Sequence, residues 1–462
     1  MSPEHIDSAP DLFSYFSRWV VAPAWARKEK SPYLRHLKTL VRSPYRSGEE
    51  VRRDQSARLK TLLERAASKS PFYRDRFRAC GFVSGDMNGL DGLSALPLLT
   101  KDDIRANLDA MLVEDARADN LLSMTTSGST GVSLKLHMDE DSRQWKRACA
   151  IRHDMWTGWR LGESVGAVWG NPESAKNWRL ALRNLLLSRN IPLDTLRMDE
   201  AAMSRFNHLL TLKRPTMLFG HAHSLYLFAR FVAKHSLATV RPKGVVSTAM
   251  VLHDFERKTI EEVFQAKVFN RYGCEEVSLI ASECEAHEGL HVNQDTLIVE
   301  VVDARGMPVP PGTPGAVVVT DLTNLVMPVI RYKVGDVAVL KEERCSCGRS
   351  YPLLSSLEGR IADYVRTPSG EYISGISLTE NFAMELEGVK QLQIVQDRID
   401  HLVFRMVANE SGGGPQLEQL SSLVSARFGD SMGYDVEMVQ SIQSERSGKY
   451  RFCISMLNDT PF

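Results

Sequence analysis

The chain has 462 residues, 43% hydrophobic and 25% charged, an ordinary globular composition but too long for one compact core. Lysine plus arginine and aspartate plus glutamate both number 57, so bulk charge offers no grip on nucleic acid or an anionic membrane. We therefore expect any anion to be held locally, with no nucleic-acid and no membrane partner. The N-terminus is acidic where a signal peptide is basic, and no stretch has the ~18 uninterrupted apolar residues of a membrane helix. Seven cysteines without an export signal point to a reducing cytoplasm rather than a disulfide framework.

The aromatic run Phe13–Trp25 predicts a helix packed on its own protein, a membrane or partner contact being the rarer use. Residues 54–68 set Leu59, Leu62, Leu63 and Ala66 on one helical face, completing a helical N-terminal extension over about 1–70. From about 215, apolar runs at 216–219, 244–250 and 267–273 alternate with helical patterns at 221–235 and 254–264. Such alternation predicts a parallel sheet covered on both faces. After Tyr272 the texture becomes β-rich, with 297–303 and 315–320 flanking a Gly/Pro turn segment. Beyond about 364, strand patterns at 391–396, 401–408, 434–442 and 451–456 surround a helix near 416–428. The expected fold class is α/β. A large N-terminal domain over 1–363 has parallel-rich sheets covered by helices plus a β-rich subdomain, and a small mobile α+β lid spans 364–462.

The most informative stretch is Thr125-Thr126-Ser127-Gly128-Ser129-Thr130-Gly131, set between apolar residues. Glycines permit a tight turn, and hydroxyls with exposed N–H groups can surround phosphate oxygens. It lacks the lysine and spacing of a Walker loop, and by itself is equally compatible with a polar hairpin. Its companions, in chain order, are LPLLTKDDIR (96–105), RYGCEE (271–276), RYKVGD (331–336), EGRIAD (358–363) and SGKYR (447–451).

This ordered set resembles the AMP-forming adenylating superfamily, and within it the phenylacetate–CoA ligase and capsular-polysaccharide-type branch. SPFYRDRF (70–77) and CSCGR (345–349) are similar to features of that branch. The resemblance implies that Thr126, Ser127, Gly128, Ser129, Thr130 and Gly131 wrap the β- and γ-phosphates of ATP. It places Tyr272 and Gly273 beside the adenine and makes Glu276 a Mg²⁺ ligand. It assigns Asp336 to the ribose hydroxyls, Arg360 to the ribose and phosphate, and Asp363 to an interdomain hinge. Lys449 would reach the α-phosphate and carboxylate during adenylation, so Lys449 and Glu276 are the catalytic pair. The sequence departs from the superfamily in having Val132-Ser133 rather than Pro-Lys after the loop, and Glu275 beside the metal residue.

The implied activity is that of an ATP-dependent ligase making an acyl-adenylate and passing it to a thiol, with coenzyme A the first candidate. A biosynthetic enzyme handing its adenylate to an amine or carrier-protein thiol is the alternative, and a degenerate nucleotide-binding protein the non-enzyme alternative. The implied acyl pocket holds His221, His223, Ser247, Thr248 and Ala249, although histidines opening a helix are more often caps or core. Five tryptophans, Trp145, Trp156, Trp159, Trp169 and Trp178, either wall that pocket or pack the core. The acid is not named by the sequence, and homodimerisation is left open. Finally, Cys284, His287, Cys345 and Cys347 form a closed set of soft ligands suited to structural Zn²⁺, with His291 competing for the histidine place.

Overall fold

A computed structural model describes residues 4–83, 89–125, 134–169, 178–195, 198–360, 364–369, 372–374, 382, 386, 388–408, 417–429, 431–442, 451 and 453–457. It consists of a large α/β domain and a smaller C-terminal α+β domain. A short strand β1 (His5–Asp7) precedes the helices Leu12–Phe16 and Ala22–Lys28, joined by a π-helical turn over Ser17–Val21. The aromatic run thus does pack on its own protein, but through its small residues. Ser14, Ser17, Ala22 and Ala26 are buried, whereas Tyr15, Phe16 and Trp19 face outward.

The helix Gly48–Lys69 starts at a capping box in which Ser47 and Glu50 satisfy each other's backbone N–H groups. Its Leu59, Leu62, Leu63 and Ala66 are buried, as their spacing requires. A hairpin follows, β2 (Leu122–Thr125) with β3 (Lys135–Met138). Strands β4 (Val165–Trp169), β5 (Asn190–Asp194) and β6 (Met217–His221) come next, then β7 (Thr239–Arg241), β8 (Gly244–Thr248) and β9 (Val268–Cys274). The antiparallel part comprises β10 (Ser278–Glu283), β11 (Leu290–Val292), β12 (Leu297–Val302), β13 (Pro314–Asp321), β14 (Tyr332–Leu340) and β15 (Leu353–Arg360).

All of these except β1, β2, β3 and β7 form one eleven-stranded sheet, ordered β12-β13-β14-β15-β11-β10-β9-β8-β6-β4-β5. The sequence suggested a parallel sheet and a separate β-rich part; the structure fuses them. Strand β9 is the seam, parallel to β8 and antiparallel to β10. β8 is buried along its whole length, as expected of a parallel strand covered by helices on both faces. The helices Ala222–Lys234 and Asp254–Phe264 pack one face through Leu225, Phe228, Ile260 and Phe264. The helices Tyr33–Arg42 and Glu140–Asp154 cover the other through Leu40 and Ala148.

The C-terminal domain includes a hairpin of β16 (Tyr364–Arg366) with β17 (Tyr372–Ser374). Its main sheet is β20 (Gly433–Met438), β19 (His401–Ala408), β18 (Val389–Arg398) and β21 (Cys453–Ser455), in that order. The helix Leu417–Phe428 covers this sheet with Leu420, Val424 and Phe428. The domain therefore has a core of its own. Among the described residues, no helix is long and apolar enough to cross a membrane.

Candidate active site

The site grows from the seam. Tyr272 and Gly273 lie near the end of β9, and the chain turns through Glu276 into β10. Gly273 is required by close approach: a Cβ there would sit 2.6 Å from the Ser278 carbonyl oxygen and 3.2 Å from Leu279 Cα. Both neighbours are backbone, so no side chain can move aside. On β14, Gly335 adopts a φ of +97°, which L side chains rarely take, immediately before Asp336. The hydroxyl of Tyr272 donates to Asp336 Oδ2 at 2.8 Å, joining two motifs sixty-four residues apart. Asp336 is also paired in register with Arg360, the last residue of β15.

Glu276 is held by residues that the sequence did not single out. Tyr332, completely buried, donates from its hydroxyl to Glu276 Oε1 at 3.0 Å. Lys101 lies on the other side, its Nζ 4.0 Å from the same oxygen. Both reach Glu276 because Leu99 bridges to Tyr332 through backbone hydrogen bonds, Leu99 N to Arg331 O and Lys333 N to Leu99 O. Arg331 locks this join: buried, it donates to both Glu300 carboxylate oxygens and to the carbonyls of Ser94, Leu96 and Gly306. Lys101 and Tyr332 lie in LPLLTKDDIR and RYKVGD, motifs in which the resemblance assigns a role to Asp336 alone. Between these groups, desolvation and the neighbouring Glu276 carboxylate raise the Cys274 thiol well above its ordinary pKa.

The loop Thr126–Gly131, the hinge residue Asp363 and Lys449 lie outside the described residues, as does the side chain of Arg360. The structure therefore joins Tyr272, Gly273, Glu276, Asp336 and the backbone of Arg360.

The expected acyl-pocket residues divide between the two sheet faces. His221 and Thr248 are register partners, and Thr248 in turn pairs with Arg271, so these three share a face. Trp169 joins them, its ring 4.2 Å from His221 and 5.3 Å from Phe219. Arg271 pairs with Asp154 at 2.5 Å, and burial raises the Asp154 carboxyl pKa against that partner's pull. Ser247 points to the opposite face, and His223 is drawn off to buried Glu256 at 3.0 Å. Ala249 takes a φ of 66°, a conformation costly for alanine, as the chain leaves β8. Of the five tryptophans only Trp169 touches this place. Trp145 stacks on His36, Trp156 packs near His153 and His291, Trp159 is core, and Trp178 is exposed.

The cysteine cluster corrects one ligand. Cys284, Cys345, Cys347 and His291 have potential ligand atoms all within 4.8 Å of one another. His287 is not among them; its Nδ1 bonds to Glu283 at 3.2 Å and its ring rests on Phe269. The reason is the turn at 284–287, where His287 N donates to Cys284 O and His287 takes a φ of 53°. β11 then returns antiparallel to β10, bringing His291 back beside Cys347, with Nε2 3.3 Å from its sulfur. The Cys284 and Cys345 sulfurs are 3.6 Å apart. Two thiolates on one tetrahedral Zn²⁺, with Zn–S near 2.3 Å, would lie roughly 3.8 Å apart. Backbone N–H groups of Ala286 and Arg349 already point at Cys284 and Cys347. Burial keeps His291 neutral, with its pKa pushed down to about 4. The donor set and spacing fit zinc.

A model of the CapK C-terminal domain matches residues 365–456. Protein CapK of Staphylococcus aureus is 24% identical over 413 residues, covering 87% of this chain and 88% of its own length. The phenylacetate-coenzyme A ligase of Thermus thermophilus is 26% identical over 340 residues, 72% of this chain and 74% of that one. Among solved structures, 2-hydroxyisobutyryl-CoA ligase in its postadenylation state superposes with a TM-score of 0.72 at 23% identity, covering 90% of this chain and 91% of the other. In sequence the chain is thus similar to CapK and to the phenylacetate-coenzyme A ligases, and in fold to 2-hydroxyisobutyryl-CoA ligase.

Proposed function

We propose that the chain is an ATP-dependent, AMP-forming acid–thiol ligase that activates a small carboxylic acid and passes it to coenzyme A. The observation that carries this is the meeting of three distant motifs at Tyr272–Asp336 and Tyr332–Glu276–Lys101. Asp336, fixed by the Tyr272 hydroxyl, is suited to accept hydrogen bonds from ribose hydroxyls, with Arg360 alongside. Glu276 offers a hard carboxylate oxygen suited to Mg²⁺, which when bound would neutralise phosphate charge during adenylation. The Thr126–Gly131 loop is assigned to the β- and γ-phosphates and Lys449 to the α-phosphate. In the first step a carboxylate oxygen of the acid attacks the α-phosphorus. The bond to the β-phosphate breaks and pyrophosphate leaves. In the second step a thiolate attacks the acyl carbon and AMP departs. A mobile lid hinged at Asp363 would serve both steps in turn.

The acid is assigned to the end of the parallel strands, under Trp169, Phe219 and His221, where open α/β sheets bind ligands. Zn²⁺ is assigned to Cys284, His291, Cys345 and Cys347 as a structural brace. Pyrophosphate release is measured on a panel of aryl and alkyl acids, with and without coenzyme A. Acid-dependent release, completed to a thioester only with coenzyme A, is expected. No release with any acid would sink the ligase reading. Release that turns over with an amine or a carrier thiol instead would establish the alternative acceptor. Lys449→Ala is expected to cripple adenylation while sparing ATP binding.

A further inference from the structure

Zero net charge over the whole chain hides a local imbalance. Residues 12–42 contain seven lysines and arginines against one acid, Glu29. Residues 178–189 add three arginines and no acid. The same segments carry an outward apolar face. Phe16, Ser17, Val21 and Ala22 all have right-handed helical backbone angles, so Leu12–Lys28 runs as one helix through its π-turn. Along it Leu12, Tyr15, Phe16, Trp19 and Val20 recur at i, i+3, i+4, i+7 and i+8, and all five are exposed. Leu12 is 90% exposed and Trp19 72%. The neighbouring helix Trp178–Arg183 and the turn after it add Trp178, Leu182 and Leu185, also exposed. The two segments are tied by Ser17 Oγ donating to Leu186 O at 2.6 Å and by the Asp11–Arg189 ion pair. Eight of the eighteen exposed large hydrophobics among the described residues therefore lie on this one face. A surface helix normally turns such a stripe inward.

We propose that this face docks on an anionic phospholipid bilayer, lying in the interface without crossing it. Tryptophan, phenylalanine and leucine on one side with lysine and arginine at the margin is the composition of an interfacial helix. Arg27 and Lys28 end the helix, Arg27 falling on the side of the apolar stripe, and Lys30, Arg35, Lys38 and Arg42 follow, all exposed. These charges select a negative surface. They also disfavour a second copy of this chain, since a two-fold contact through this face would set the basic cluster against itself. The face shares no residue with the ATP-site groups.

The test uses the full chain in vesicle flotation, comparing phosphatidylcholine alone with phosphatidylcholine plus phosphatidylglycerol. Wild type should float with the anionic vesicles roughly tenfold better than with the neutral ones, and less as salt rises. Phe16→Glu with Trp19→Glu, and separately Arg27→Glu with Lys28→Glu, should each weaken flotation about tenfold. An unchanged melting temperature in both variants establishes that they fold. Absence of wild-type flotation, or flotation that neither variant alters, would overturn the proposal. A concentration-dependent wild-type dimer that Trp19→Glu dissolves would give the face to a second copy instead.

Discussion

Tyr332→Phe isolates the least anticipated feature of the site, the hydrogen bond that holds Glu276. The ring is completely buried, and phenylalanine keeps its volume, so packing is preserved while one hydroxyl is lost. The lost bond runs from a neutral donor to a carboxylate at 3.0 Å. Such bonds contribute about 1.5–3 kcal/mol. At about 1.4 kcal/mol per factor of ten, that corresponds to a roughly 10- to 150-fold fall in kcat/KM if the bond is fully used in adenylation. The remaining neighbour, Lys101, is 4.0 Å away and partly exposed, too loosely placed to replace it. The assay is pyrophosphate release at graded MgCl₂, with the melting temperature measured in parallel. The loss should be accompanied by a raised Mg²⁺ requirement, because Glu276 is no longer pre-positioned. A variant with lower melting temperature but wild-type kcat/KM and Mg²⁺ dependence would show that Tyr332 serves the fold alone, refuting its place in the site.

Gly273→Ala should destabilise by about 1–3 kcal/mol and weaken ATP binding, because its Cβ meets the Ser278 carbonyl at 2.6 Å and must part β9 from β10; calorimetric ATP titration and thermal melting check both. Purified wild type and His287→Ala should each hold about one zinc per chain by elemental analysis, whereas His291→Ala should lose most of it; equal zinc in the two variants would void the revised ligand set. His153 is buried beside Arg152, and desolvation holds its pKa well below the usual 6.5. The unfolded chain therefore takes up this proton first as pH falls, so stability present above about pH 6.5 should decline below it. His153→Asn should flatten that part of a melting-temperature series from pH 7.5 to 5; an unchanged slope would remove His153 as its source.

The sequence revealed local structure well because local structure obeys local periodicity. The stripe Leu59, Leu62, Leu63, Ala66 and the apolar runs of β6, β8 and β9 each carried their own evidence. Strand neighbours did not, since pairing is non-local: nothing in 268–283 announces that β9 is shared by a parallel and an antiparallel half. Glu276 and Asp336 were legible as residue types, but their anchors Tyr332 and Tyr272 could be matched to them only by the register of the sheet. The histidine of the cysteine cluster was misplaced for a related reason. A C-x-x-H spacing assumes a knuckle that keeps both ligands on one turn, whereas here a hairpin returns His291 from across the strand pair.

The seam also explains why the two candidate centres belong together. Parallel strands end in a crevice where ligands collect, and β9 carries the chain from that crevice into the antiparallel half. Asp336 and the Arg360 backbone meet on β14 and β15, two strands whose pairing with the parallel half runs through β11 and β10. β11 is three residues long, with two residue pairs joining it to β15, a slender link for a site that needs fixed geometry. The cysteine cluster sits at that weak point, with Cys284 at the end of β10, His291 on β11, and Cys345 and Cys347 on the segment entering β15. A metal there would clamp the very strands whose relative position sets Glu276 against Asp336. The proposed zinc ligands and the proposed nucleotide residues, unrelated in the sequence, are thus two ends of one mechanical problem: keeping β15 in register with a sheet that changes direction at β9.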